Sequence, residues 1–533
     1  MSFIALTLLT AASLVSTCSA ETVLTWPSPL YDSLEHLLVD TSGANDAGFK
    51  AAITPCTNYV SGSQLLGRET AAQWIRVAFH DFATADVEKG TGGIDASIGF
   101  ETLRPENSGS AMNDSLAFFA PYVNAHTSMS DLIALSVVMA VGACSGPQIP
   151  LRGGRIDATE GGEFGVPEPE SSIEDTLSRL QLAGFDQSDS IALTACGHTM
   201  GSVHNGGFPQ VVPPSAITPN NTGGGVHFDA TPAAFDINVV NEYLTWTGQR
   251  GGPLVTTDNV TVRSDLRLYT SDNNATMKTL SQSSGYFRNA CTDVFERMIN
   301  TVPAEVNLSE VISPLSIKPV NVTVEVLWNG TMSISGFIRL LITDSSEPLN
   351  TITISFASRN TSGTGVHPIE AAYSGPQDIG SSIFGTTYYY SFNTYFDSFT
   401  GISTFGTSAN SVTAQYAVDD TVLWLPHFSS LGTEVDSIGK VAVNITAAVL
   451  TSWAADSVEA IFSAPTPQPG TLSPRIETSY LPLQLIGTAG EYSVYSGLTQ
   501  LDSSTSNRTT VDIVAKGKQG TVVNEFRKLA GLS

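Results

Sequence analysis

The feature that most constrains the fold is a change in hydrophobic spacing part-way along the chain. Up to about residue 299, apolar residues recur at three- and four-residue intervals over 70–79, 130–142, 171–182, 189–195 and 281–299. That spacing predicts helices, broken here by long Gly- and Pro-rich loops. Asp131 after Ser130, and Glu174 three residues after Ser171, supply helix-start chemistry. Beyond about Ser313 the period falls to two. Thr-, Ser- and Val-rich runs at 320–327, 333–342, 351–357, 386–392, 411–417, 421–425 and 441–449 read as half-buried strands. One packed layer cannot satisfy both periods, so the expected fold is multidomain: a mostly α-helical domain over 21–312 and a β-rich, sandwich-like region over 313–533. Pro465-Thr466-Pro467-Gln468-Pro469-Gly470 interrupts the second half and offers a division into two smaller units at 465–470.

The first twenty residues are apolar and end in Cys18-Ser19-Ala20, which predicts a signal peptide cleaved before Glu21 and an extracellular destination. The apolar stretch is short for a bilayer span, and no later one is longer, so no membrane partner is expected. Ten Asn-X-Ser/Thr sites fit a glycosylated secreted chain. A net charge of −26 excludes nucleic acid, whose phosphates would be repelled. Without the leader, Cys56, Cys144, Cys196 and Cys291 remain. Three complete pairings are open and the sequence does not choose between them. The reading favours Cys56 with Cys144 and leaves Cys196 and Cys291 as buried thiols.

Two histidine constellations carry chemistry. Arg76 and His80 are four apart on a helical pattern and share one face. A neutral base that takes and returns a proton, beside a permanent cation that stabilises developing charge, is what cleaving a peroxide O–O bond requires. Such a base needs an acceptor behind its other nitrogen, and Asn107 is the candidate. The second constellation is Ala195-Cys196-Gly197-His198-Thr199-Met200-Gly201. His198 suits an axial ligand to haem iron, with Asp265 as the carboxylate behind the ring and the flanking glycines leaving room for a macrocycle. A zinc ligand or a core histidine is the competing reading of His198, but no matching metal-ligand cluster lies nearby.

In this order RVAFHD (76–81), GGIDAS (92–97), DLIAL (131–135), IPLRGGRID (149–157), GVPEP (165–169), ALTACGHTMG (192–201) and RSD (263–265) resemble the plant, fungal and microbial haem peroxidase superfamily, nearest to its secreted fungal members. The resemblance covers about residues 45–300. It implies a two-lobed helical fold with haem b between the lobes. Arg76, Phe79 and His80 would form the distal peroxide pocket, with Asn107 orienting His80. His198 would bind iron with Asp265 as its partner, and Phe228 would lie beneath the haem. It further implies two calcium ions: one held by Asp81, the Gly93 carbonyl, Asp95 and Ser97, the other by Thr199, Asp229, Thr231, the Ala234 carbonyl and Asp236. Oxygen donors of this kind suit a hard cation.

Three departures narrow the expectation. Leu193 stands five before His198, where lignin-type enzymes carry a radical tryptophan. Glu69, Gln73 and His204 stand where the manganese-oxidising type places three carboxylates, which disfavours that activity. The β-rich extension lies outside the family core. The expected activity is therefore reduction of hydrogen peroxide with one-electron oxidation of small organic, phenolic or dye-like donors. The competing expectation is a cell-wall or carbohydrate-binding protein on a peroxidase-like scaffold of little activity. Tyr388, Tyr389, Tyr390 and Trp453 are candidates for stacking on wall polysaccharide, although ordinary strand packing explains them better.

Overall fold

The computed structural model describes residues 24–25, 29–57, 68–343, 347–360, 368–409 and 412–532. The leader expected over 1–20 lies outside them. No helix among the described residues is long and apolar enough to cross a membrane.

Among the described residues up to position 300 there are eleven α-helices: α1 (Pro29–Val39), α2 (Thr70–Phe82), α3 (Ala111–Phe119), α4 (Met129–Ala143), α5 (Ile173–Leu182), α6 (Gln187–Gly197), α7 (Asn238–Thr245), α8 (Pro253–Thr256), α9 (Ser264–Thr270), α10 (Ala275–Leu280) and α11 (Ser284–Asn300). The central one is α4, whose side chains are buried almost all round, so its sequence is apolar on every face rather than on a stripe. Its start is set by Ser128, whose hydroxyl accepts the Asp131 N–H at 3.0 Å, while the Asp157 carboxylate accepts from the Met129 and Ser130 N–H groups. The cap thus falls two residues before the Ser130–Asp131 pair. In α5 it falls on Ser172 rather than Ser171. Both disulfides form in the structure: Cys56–Cys144, and Cys196–Cys291 with its Cα atoms 5.5 Å apart. The second corrects the expectation of two free thiols. Tertiary approach of α6 and α11 brings together cysteines 95 residues apart in sequence.

From Ile317 onward the chain is strand after strand. A nine-stranded sheet is built around Thr331–Ile342, which pairs on one side with Ile317–Val326 and on the other with Gly385–Asp397. A five-stranded sheet and a four-stranded sheet then face each other as a sandwich, packing Val443, Ile445 and Ala447 with Ala460, Phe462, Val511 and Ile513. The Pro-rich segment at 465–470 does not divide the region. Ala455–Thr466 runs through Pro465 and pairs back with Arg475–Pro482, so the segment is a hairpin turn inside one sheet. The two β cores interleave along the chain instead: Leu423, Ala448 and Tyr492 belong to the core of the nine-stranded sheet, and Val422, Val443 and Ile445 to that of the sandwich. Tyr388, Tyr389 and Tyr390 are interior, and Trp453 is half-buried between the two cores. That corrects the sugar-stacking role considered for them.

The β-rich region sits directly on the helical one. Glu35 and Asp40, at the end of α1, meet Lys318, Arg339 and Tyr389 in a buried cluster. Ile383 closes on Gly142 of α4, and the Ser473 hydroxyl reaches Asp157.

Candidate active site

Helix α2 turns Trp74, Val77 and Ala78 into the core and leaves Arg76 and His80 lining a cavity of about 250 Å³. Helix α6, started by a capping box at Asp186, delivers His198 as its C-cap residue to the same cavity. Asp265 comes from the first turn of α9. Three segments far apart in sequence therefore converge as the motifs predict.

On the distal side, His80 Nδ1–H donates to Asn107 Oδ1 at 2.6 Å. Asn107 Nδ2 donates in turn to the Glu101 carbonyl at 2.9 Å, which fixes the amide so that its oxygen faces the ring. His80 is thereby left with a free Nε2 toward the cavity. Burial first, then the Arg76 charge, push its pKa down to about 3 against the opposing pull of Asn107. The ring is neutral at any ordinary pH. Arg76 makes no hydrogen bond or ion pair among the described residues and lies 5.5 Å from the Phe208 ring centroid. Burial and the neighbouring Arg68 charge lower it to about 10, so it remains a cation. Phe79 stands edge-on to His80, with centroids 6.0 Å apart.

On the other side, His198 Nδ1–H donates to Asp265 Oδ2 at 2.8 Å, again leaving Nε2 free. Phe228 stacks on the imidazole with centroids 4.1 Å apart and planes 8° from parallel. Gly252, at φ 91°, makes that stacking possible, since a Cβ there would lie 2.7 Å from Phe228 Cα. Gly201 does not make room for a macrocycle as expected. A Cβ on it would strike Ala72 of α2 at 2.5 Å, so its smallness serves helix packing.

Flat haem fits this donor set: two imidazoles with free Nε2 atoms, each fixed through Nδ1, and a guanidinium without a partner among the described residues face one largely apolar space.

The oxygen-rich loops also assemble. The Asp81 carboxylate is buried and accepts from the Asp95, Ala96 and Ile98 N–H groups at 3.1, 2.9 and 3.1 Å, with the Ser97 hydroxyl at 3.4 Å and Gly93 in the same loop. Burial and the Asp95 charge raise it well above the usual carboxylate range. Near His198, Thr231 Oγ1 donates to Asp236 Oδ2 at 2.9 Å and the Thr231 N–H to Asp229 Oδ1 at 2.8 Å, while the Asp236 N–H reaches Thr199 Oγ1 at 3.3 Å. Ala234 closes the turn by donating to the Thr231 carbonyl. Asp229 Oδ2 is buried without a partner among the described residues, and burial lifts its carboxyl to about 7. Among the described residues no group of three or more His, Cys, Asp or Glu side chains gathers as a metal cluster, so each loop offers two carboxylates at most.

Glu69, Gln73 and His204 all line the cavity wall. Glu69 is buried, its Oε2 has no partner among the described residues, and burial pushes it up to about 8. Leu193 also faces the cavity and is buried. Arg68, hydrogen-bonded to Ser110, and Phe208 complete the distal wall. Neither carries a motif that would have singled it out in the sequence.

A peroxidase family model matches residues 57–283. A WSC domain-containing protein of Arthroderma benhamiae is 33% identical over 529 residues, covering 96% of this chain and 68% of that protein. Peroxisomal L-ascorbate peroxidase 5 of Arabidopsis thaliana is 35% identical over 141 residues, 26% of this chain and 50% of that protein. Cytosolic L-ascorbate peroxidase 2 of the same plant is 26% identical over 211 residues, 39% of this chain and 76% of that protein. The chain thus spans about half the length of the first plant relative, whereas its match to the Arthroderma protein runs through the β-rich region. The chain belongs to the haem peroxidase superfamily. It is a peroxidase that uses hydrogen peroxide as oxidant, with a helical peroxidase domain followed by a region of several β-sheets.

Proposed function

We propose that the protein is a secreted, calcium-stabilised peroxidase that holds haem b between His80 and His198 and oxidises small phenolic or dye-like donors in one-electron steps. The observation that carries this reading is the pair of imidazoles on one cavity, each engaged through Nδ1 and free at Nε2. When bound, the haem supplies the iron at which peroxide is reduced and donors are oxidised. His80 Nε2 would take a proton from one peroxide oxygen and return it to the departing one. Arg76 stabilises the charge that builds on that leaving oxygen. Asn107 keeps His80 in the accepting tautomer, and Phe79 walls the pocket. Asp265 draws on the His198 N–H and makes the opposite nitrogen a stronger donor, while Phe228 holds the ring plane.

An uncharged donor suits the cavity wall better than manganese(II). Glu69 is the single carboxylic acid among Glu69, Gln73 and His204, and its raised pKa keeps it mostly protonated at neutral pH. Calcium at the two loops would relieve the buried carboxylate pair Asp81–Asp95 and fill the vacant side of Asp229. Secretion with glycosylation is supported by exposure of Asn113, Asn220, Asn259, Asn307, Asn321, Asn329, Asn360 and Asn507, all in acceptor sequences. Asn274 and Asn444 are half-buried, with their amides engaged.

The test is rapid mixing of haem-loaded protein with peroxide, then titration with phenolic, dye, ascorbate and manganese(II) donors. His80→Ala is expected to keep the Soret band and to slow the peroxide reaction by about 10²–10⁴. An unchanged rate would remove His80 from the mechanism.

A further inference from the structure

Behind the His198–Asp265 pair lies a feature that this chemistry leaves unused. Asp265 and Tyr269 are four residues apart on α9 and share one face. Tyr269 is fully buried, close enough to Asp265 to feel its charge, and its hydroxyl has no hydrogen-bond partner among the described residues. Buried phenols ordinarily find one. Its ring meets Tyr243 edge-on, with centroids 5.1 Å apart. Tyr243, on α7, is nearly buried, and Gly251 lies against its ring. Its hydroxyl donates to Asn274 Oδ1 at 2.6 Å, and Asn274 is partly exposed where α10 begins. The series Asp265, Tyr269, Tyr243, Asn274 therefore runs from the ring of His198 to solvent. The chain has no tryptophan at 193, and Leu193 is interior, so that position offers no comparable exit.

We propose that Tyr269 and Tyr243 form a redox path from the His198 side of the haem site to the surface at Asn274, with Tyr243 as the residue that holds the unpaired electron. This rests on haem being bound at His198. One electron leaves the Tyr243 phenol, crosses the Tyr269 ring and reduces by one equivalent the oxidised enzyme that hydrogen peroxide leaves. The Tyr243 O–H bond breaks, its proton passes along the hydrogen bond to Asn274 and on to surface water, and a neutral phenoxyl radical remains. Tyr269 has no acceptor for its own proton, so it is a bridge and not a resting place. A phenolic donor docked over Asn274 restores Tyr243 by returning one electron and one proton, itself becoming a phenoxyl radical. Donors too large for the cavity are thereby oxidised from outside.

The experiment uses haem-loaded full-length protein treated with one equivalent of hydrogen peroxide and no donor. Samples are frozen for electron paramagnetic resonance with and without ring-deuterated tyrosine, and parallel samples are spin-trapped for peptide mass mapping. A tyrosyl signal that narrows on deuteration and a trap adduct on the Tyr243 peptide are expected. The adduct is lost in Tyr243→Phe and at least tenfold weaker in Tyr269→Phe, per peroxide reduced. A radical placed elsewhere, or an undiminished Tyr243 adduct in Tyr269→Phe, overturns the path while leaving the peroxidase reading intact. A protein that takes up no haem, or takes it up and does not react with peroxide, overturns both.

Discussion

A buried imidazole next to a guanidinium gives up its charged form first, and His80 is such a group. Burial and Arg76 hold it near pKa 3, so its neutral, proton-accepting form persists into acid and is lost only as pH falls through about 3. An enzyme carrying a net charge of −26 gains from acid conditions, because carboxylate repulsion eases there. Asn107 decides which nitrogen is free without adding charge. Asn107→Asp would place a carboxylate against the Nδ1–H and favour the imidazolium, moving the acid limb of the peroxide reaction upward by about one to three pH units. The pH profile of the pre-steady-state rate measures this. A limb that stays in place would mean that Asn107 does not act through His80.

At the scale of elements, two loops hold carboxylates that the protein alone does not neutralise. The loop after α2 wraps Asp81 in backbone N–H groups yet sets Asp95 beside it, and the segment before α7 leaves one oxygen of Asp229 unpartnered. Calcium bound at about a hundred times its dissociation constant would add about 2.7 kcal/mol per site. Chelation is expected to lower the unfolding temperature followed at the Soret band, and added calcium to restore it. In Asp229→Asn the chelator should do less, and an equal response would exclude the site near His198. The grouping of these oxygen donors was implied by the family resemblance, whereas α2, α4 and α6 were legible because their apolar spacing runs unbroken. Helices α7, α9 and α10 are six to eight residues long, too short for a periodic signal. The Cys196–Cys291 bridge and the Tyr243–Tyr269 contact depend on which helices meet, which spacing along one helix does not encode. The Pro-rich segment misled for a related reason. Proline marks a turn, but whether a turn separates two units or joins two paired strands is settled by the partner strand.

For the whole molecule, the β-rich region is joined to the peroxidase domain through charges that neither part could bury alone. Glu35 and Asp40 of the helical domain are buried against Arg339 and Lys318, with Lys318 Nζ 2.6 Å from Glu35, Arg339 Nη1 3.1 Å from Asp40 and the Tyr389 hydroxyl 2.9 Å from Asp40. Burial alone would raise both carboxyls. For Glu35 the Lys318 and Arg339 charges outweigh it, and for Asp40 the His36 hydrogen bond and the Arg339 charge do so, holding Asp40 at about 2. A depressed carboxyl contributes stability above its unfolded pKa of about 4, and that contribution fades as pH falls toward about 2. The junction therefore survives the mildly acid range in which His80 still works. Arg339→Met would leave Glu35 with Lys318 as its one remaining cation among the described residues and take the guanidinium from Asp40 in a buried interface, at a cost of about 3–5 kcal/mol. Because α1 carries Glu35, leads directly into Asp40 and packs on the helical core, the loss should reach the haem site. Soret and far-ultraviolet melting transitions are expected to fall together in Arg339→Met. If the Soret transition held while the β signal alone moved, the extension would be a tethered passenger and not a structural half of the enzyme.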